Sequence, residues 1–307
     1  ELVQLLEARG NRLPDIPANE QQRYLRRLSY RDFLERHMGV TDPEIFAIYQ
    51  GLTADSTASI EASSALSLMN YGGHPGLQAT AIADYGDDAE PYIFHFPDGN
   101  ASVARLLVRR LIPEALPGST MEDSVTARLD YTRLDQEGAD LSIRLNSTVV
   151  NAEHTADSRA VDVTYVHSGD AHTVRAKKCI MACYNSAIPY MCPELPERQR
   201  QGLAYNVKIP LTYTKVMVPH WRWFADLGIS FVYYTNDFFK QVELDYPVSL
   251  GNYNFSTSPD GPMVLHMCYV PYFGDIQGPE QWRAGRRRLL ETPFSTFEHH
   301  VRDQLDQ

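Results

Sequence analysis

At 307 residues the chain is long enough for one large domain or two smaller ones, with ample core. Its formal charge of −11 excludes a general nucleic-acid binder, because phosphate neutralisation needs a Lys/Arg surplus. No run of 18 apolar residues exists, so no transmembrane helix is expected. Acidity favours cationic ligands by long-range attraction, although solubility alone also accounts for it.

The N-terminal Glu-Leu-Val-Gln-Leu-Leu-Glu lacks both Met and a signal-peptide pattern, and the last residues read as a helix still running. Both ends are therefore expected to be cuts in a longer chain. Ser29 precedes Tyr30, Phe33, Leu34 and Met38 at helical spacing, with Asp32 at the acidic third position and Gly39 as the stop. Thr41-Asp42-Pro43 opens another helix through Phe46, Ile48 and Tyr49. The Ala/Ser-rich stretch 55–70 predicts a closely packed helix, broken by Gly72-Gly73-His74-Pro75-Gly76. Residues 1–90 thus read as a mainly helical region.

Tyr92 to Phe96 reads as a short strand ending at Pro97-Asp98-Gly99-Asn100, and Val103, Leu106, Leu107 and Leu111 give a helix over 100–112. Alternation then takes over: Leu141, Ile143 and Leu145; Val161, Val163 and Tyr165; then Val174, with a turn at Ser168-Gly169-Asp170. The third strand is expected to run into Cys179-Ile180-Met181-Ala182-Cys183, an apolar run of the kind buried on both faces of a parallel sheet. Leu211 to Val218, Ser230 to Tyr234, Gln241 to Asp245 and Met263 to Val270 predict a second, antiparallel sheet. Thr292-Pro293 starts a helix with Phe294, Phe297, Val301 and Leu305 on one face.

Many chemistries are excluded. There is no G-x-S-x-G elbow, no P-loop, no H-E-x-x-H and no G-x-G pair. Cys179, Cys183, Cys192 and Cys268 have neither zinc spacing nor a disulfide framework, and are expected to be buried free thiols. His299-His300 point about 100° apart on a helix, a poor metal pair and a better solvated face. Composition and periodicity stop at a mixed α/β protein.

Ordered motifs carry the reading further. Phe96-Pro97-Asp98-Gly99-Asn100-Ala101-Ser102-Val103-Ala104-Arg105-Leu106-Leu107 resembles the segment that enters the flavin site in flavin-containing amine oxidoreductases, most closely the bacterial spermidine dehydrogenase group. Leu145-Asn146-Ser147-Thr148-Val149-Val150 is similar to that family's strand beside the FAD adenine. Cys179 to Asn185, with Ile188-Pro189-Tyr190, resembles the strand returning beside the cofactor. Lys208 to Thr214, Trp221, Tyr246 to Gly251, His266 to Pro271, Gly285-Arg286 and Leu289 to Phe294 follow in the same order.

The resemblance implies a mixed α/β (α+β) chain forming the central part of a two-domain FAD-dependent fold. Residues 1–90 would be a substrate-side helical region, 91–190 part of the FAD domain, and 191–307 a substrate domain with antiparallel sheet and C-terminal helix. FAD would be contacted by Gly99, Asn100, Val149, Ala182, Cys183 and Tyr184. The substrate would be a small amine or polyamine such as spermidine, walled by Tyr184, Trp221, Tyr253, His266 and Tyr269. Proteins of this group can also carry haem, for which His74 is the candidate axial ligand, or else a plain loop histidine. Catalysis would need no nucleophile, and no catalytic residue is singled out; none of the 39 Asp/Glu stands out by spacing as a partner for a distal ammonium. The diphosphate-holding G-x-G-x-x-G and the segment closing over the flavin would lie outside the sequence, leaving this piece inactive by itself. A periplasmic location follows from the resemblance and a cytoplasmic one otherwise. Competing readings are another FAD-dependent oxidoreductase, desaturase- or porphyrinogen-oxidase-like, and a non-catalytic binding or structural fragment.

Overall fold

The computed structural model describes residues 1–53, 59–71, 73–86, 95–235, 237–273, 276 and 278–306. In chain order the helices are α1 (Leu2–Leu6), α2 (Ala18–Leu25), α3 (Tyr30–Arg36), α4 (Pro43–Gly51), α5 (Ala65–Tyr71), α6 (Ala101–Leu111), α7 (Ile188–Met191), α8 (Glu197–Tyr205), α9 (Arg222–Leu227), α10 (Pro279–Glu291) and α11 (Phe294–Leu305). The strands are β1 (Ser147–His154), β2 (Val161–His167), β3 (Asp170–Ala176), β4 (Thr212–Val218), β5 (Phe231–Tyr233), β6 (Gln241–Leu244) and β7 (Met263–Tyr269). The class is mixed helix and antiparallel sheet. Two compact units form: one from Glu1–Ile93, Lys208–Pro247 and Ser256–Gln307, the other from Phe94–Val207 and Val248–Phe255.

In the first unit, local chemistry sets the helix starts. The Ser29 hydroxyl accepts from the Asp32 N–H, and the Asp42 carboxylate accepts from the Glu44 N–H just before Pro43. Tyr30, Phe33, Leu34, Ile45, Tyr49, Ile60, Leu66 and Leu68 then meet in one core. Gly76 sits at φ 122°, and a Cβ there would lie 2.5 Å from the Phe33 ring, so glycine is required twice over.

The same unit holds the sheet ordered β4-β7-β6-β5, antiparallel throughout. Period-two alternation gives it two faces. Met263, Leu265 and Met267 of β7 and Val242 of β6 point to the buried apolar side. Lys215, His266 and Glu243 lie in register on the other. On the buried side the Gln304 side chain of α11 accepts from the Phe239 N–H at 2.7 Å and donates to its carbonyl at 3.0 Å.

The second unit pairs β1-β2-β3 as a meander, with the expected turn at Ser168-Gly169 between β2 and β3. A register shift between Val149 and Asn151 makes Val150 the extra residue. A small core of Ile112, Ala115 and Leu134 lies under α6.

Four sequence expectations are corrected here. Residues 179–183 form no strand and are not buried; Ile180 is 89% exposed. An apolar run becomes a strand only beside partners for its N–H and C=O groups, and none of the described strands pairs with it. Residues 141–145 are likewise irregular, because the Ile143 N–H bonds the Leu134 carbonyl and Ile143 packs into the small core. Cys179 and Cys183 are exposed and Cys192 half-buried, leaving Cys268 as the buried thiol; none of the four is in a disulfide. The strand expected from Tyr92 lies mostly outside the described residues, as do Gly72 and residues 54–58; of the helix expected over 55–70, residues 59–64 are turns instead and the helix begins at Ala65.

Candidate functional site

In the first unit a cavity of about 460 Å³ opens between the helical segment and the sheet. Phe46 and Gln50 of α4 line it with Ile60, Phe238, Tyr269 and Tyr272. Phe238 stacks on Tyr269 at 3.9 Å between ring centroids, and on its other contacts meets Phe297 and His300 of α11. His300 is therefore packed, whereas His299 faces Asp303 at 3.1 Å. Four side chains of the acidic and basic types also line the cavity: Arg31, Glu61, Asp237 and Lys240.

Their electrostatics differ. Glu61 takes Arg31 at 3.2 Å on one oxygen and the Tyr272 hydroxyl at 3.0 Å on the other. Arg31 also bonds Glu35 at 3.0 Å and lies 4.3 Å over the Phe46 ring. Burial pushes the Lys240 ammonium below its usual range, with the charge of Asp237 opposing. Burial likewise raises Tyr269, with Arg288 opposing.

Of the wall residues expected from the sequence, Tyr269 lines this cavity. His266 is three positions away on β7 and so faces the opposite side, with its ring 4.7 Å from Tyr213. Trp221 precedes α9, its backbone N–H held by the Pro259 carbonyl and its indole Nε1 buried with no partner among the described residues. Tyr184 and Tyr253 belong to the second unit. There the Tyr184 hydroxyl donates to the Asn206 carbonyl at 2.9 Å, and Tyr253 bridges Leu250. Asp237, Phe238, Lys240, Phe46 and Glu61 were not found by sequence reasoning. Their one signal is weak: Asp237 and Lys240 bracket an aromatic pair just before β6.

The expected flavin contacts lie in the second unit. Gly99 adopts φ 63° with open space where a Cβ would be, and Asn100 caps α6 without a side-chain bond. That helix end already holds a carboxylate, since Asp98 accepts from the Ser102 hydroxyl at 2.5 Å and meets Arg105 at 3.4 Å. Val149 is half-buried on β1, Ala182 and Cys183 are exposed, and Tyr184 is partly so. The glycine-rich G-x-G-x-x-G turn that the resemblance calls for does not occur in the sequence. His74 is buried beside Tyr30 and Tyr49, with Nε2 3.1 Å from the Tyr49 carbonyl, a placement that does not favour axial ligation. No group of three or more metal-ligating side chains occurs among the described residues. No helix among them is long and apolar enough to cross a membrane.

No family model and no curated protein matches the sequence. Among solved structures, a redesigned putrescine oxidase double mutant is similar at 16% identity and a TM-score of 0.48, covering 91% of this chain and 49% of that one. Wild-type putrescine oxidase bound to putrescine is similar at 18% identity and a TM-score of 0.43, covering 81% and 45%. Cyclohexylamine oxidase from Brevibacterium oxydans is similar at 15% identity and a TM-score of 0.41, covering 99% and 54%. The chain spans about half the length of these structures. Likeness at this level transfers no residue role and no activity.

Proposed function

We propose that this chain is part of a flavin-dependent amine oxidoreductase acting on a small amine, with polyamines such as spermidine the substrate class that the motif succession implies. The observation that carries the reading is the aromatic-walled cavity at Tyr269, lined also by the carboxylates of Glu61 and Asp237. An amine oxidation asks the protein to hold a cation at one end and a desolvated, neutral amine at the other. Phe46, Phe238 and Tyr269 exclude water along the chain of such a ligand. A buried wall also disfavours a charged nitrogen, the direction of proton loss that oxidation needs.

FAD, when bound, would supply the acceptor for the hydride leaving the carbon next to nitrogen. Gly99, Asn100, Val149, Ala182, Cys183 and Tyr184 are the residues of this chain that would approach it. The imine product is released by water, so no serine, cysteine or paired acid–base is needed. A desaturase- or porphyrinogen-type substrate would suit a wide apolar tunnel, and the ionisable lining of the cavity speaks against it.

The test is the visible spectrum of the purified full-length protein, followed by product analysis with spermidine, putrescine and a porphyrinogen. A flavin band and aldehyde formation from a polyamine support the reading. A colourless protein, or turnover of the porphyrinogen alone, overturns it.

A further inference from the structure

We propose that His300 of α11 is a positioning residue for the cavity of the first unit, acting through the ring of Phe238 to set how tightly the cavity holds an alkylamine. This role rests on the amine reading and deepens it by naming a residue that tunes affinity from behind the wall.

Three rings stack here. Phe238 lies 3.9 Å from Tyr269 between ring centroids with 14° between planes, and 4.0 Å from His300 with 7° between planes. Two rings so close and so nearly parallel to a third cannot share one of its faces, so Phe238 is sandwiched between them. Phe297 meets Phe238 and Tyr269 edge-on, at 5.7 and 6.2 Å. Phe238 and Tyr269 line the cavity, and His300 stands behind Phe238, half-buried.

Strand pairing alone does not aim these two rings. Phe238 precedes β6, and Tyr269 is the last residue of β7. The face of α11 supplies the constraint. Phe297, His300 and Gln304 follow one another at spacings of three and four, so they lie on one side of the helix. Gln304 holds the backbone of Phe239, while His300 and Phe297 hold the neighbouring ring of Phe238. Phe239 turns into the core and Phe238 lines the cavity, so one helix face both anchors this segment and orients its ring. What the site asks of residue 300 is a flat group. A branched or short side chain leaves one face of Phe238 without contacts and frees the ring to tilt away from Tyr269.

The test compares His300→Phe, which keeps a flat ring, with His300→Leu and His300→Ala, which do not. Steady-state oxidation of hexylamine by the full-length protein is read beside calorimetric binding of hexyltrimethylammonium, a cation that cannot form an imine. We expect KM and Kd to rise about three- to tenfold in the leucine and alanine variants at unchanged kcat, and to stay within about twofold of wild type in the phenylalanine variant. The wall contacts the ligand equally in the ground and transition states, which leaves kcat alone. A merely structural role gives the opposite split, lowering the active fraction and so kcat at constant KM. Unchanged affinity in both variants without a ring, a loss confined to kcat, or phenylalanine binding no better than leucine overturns the proposal. So does a failure of the leucine and alanine variants to fold, or an absence of cation binding by the wild type. The two readings fail separately. Amine oxidation whose KM is indifferent to residue 300 sinks the positioning role alone. Cation binding that depends on the ring at 300, without oxidation of any amine, sinks the oxidoreductase alone.

Discussion

Replacing Gln304 with leucine should unfold the cavity's support before it touches the cavity itself. Gln304 is 3% exposed and its amide mimics a neighbouring strand, giving both an acceptor and a donor to the backbone of Phe239, which is fully buried. Leucine leaves the Phe239 N–H and carbonyl without those partners, at about 1–3 kcal/mol each. The added apolar burial returns about 1 kcal/mol. The expected net loss is about 1–5 kcal/mol, read by urea denaturation at unchanged slope. Because Phe239 sits between Phe238 and Lys240, the loss should also loosen the Phe238–Tyr269 stack. Gln304→Glu should be nearly as harmful at neutral pH, since it keeps one acceptor but buries a charge against a carbonyl. A leucine variant within about 0.5 kcal/mol of wild type would refute the assignment of this amide as the tie between α11 and the 237–240 segment.

Two further outcomes follow from geometry. Gly76→Ala should cost about 2 kcal/mol or more, because it combines a strained φ of 122° with a contact of 2.5 Å to Phe33; thermal melting checks it, and an unchanged melting temperature contradicts it. Asp123 accepts from the Ser119 and Thr120 N–H groups and pairs with Arg109, and these hold its carboxyl well below the usual range. A depressed carboxylate stabilises the fold above its ordinary pKa and loses that contribution as pH falls through its folded value. The stability gap between wild type and Asp123→Asn, measured by melting across acid pH, should therefore narrow on acidification. A constant gap refutes it.

Much of the fold was legible because its causes are local. Ser29 and Asp42 cap where capping chemistry says they must, and the alternation from Leu211 to Val218 and Met263 to Val270 follows a sheet with one buried face. The failures share one cause. Residues 179–183 and 141–145 were read from hydrophobicity, which says what a segment would bury but not whether a partner stands beside it. The site was less legible. Tyr269 was named by resemblance, whereas the cavity around it is assembled by contacts distant in sequence, such as the bond from Tyr272 to Glu61 across 211 residues of chain. His266 shows the converse: adjacent motif membership with Tyr269 does not survive the opposite pointing of odd-spaced residues on a strand.

The most direct measurement is anaerobic titration of the full-length protein with spermidine while its visible flavin band is followed, with no electron acceptor supplied. The account predicts that the band bleaches with one equivalent of amine per bound flavin and returns when an acceptor is admitted. A flavin band that persists through excess spermidine, putrescine and simple alkylamines would contradict it.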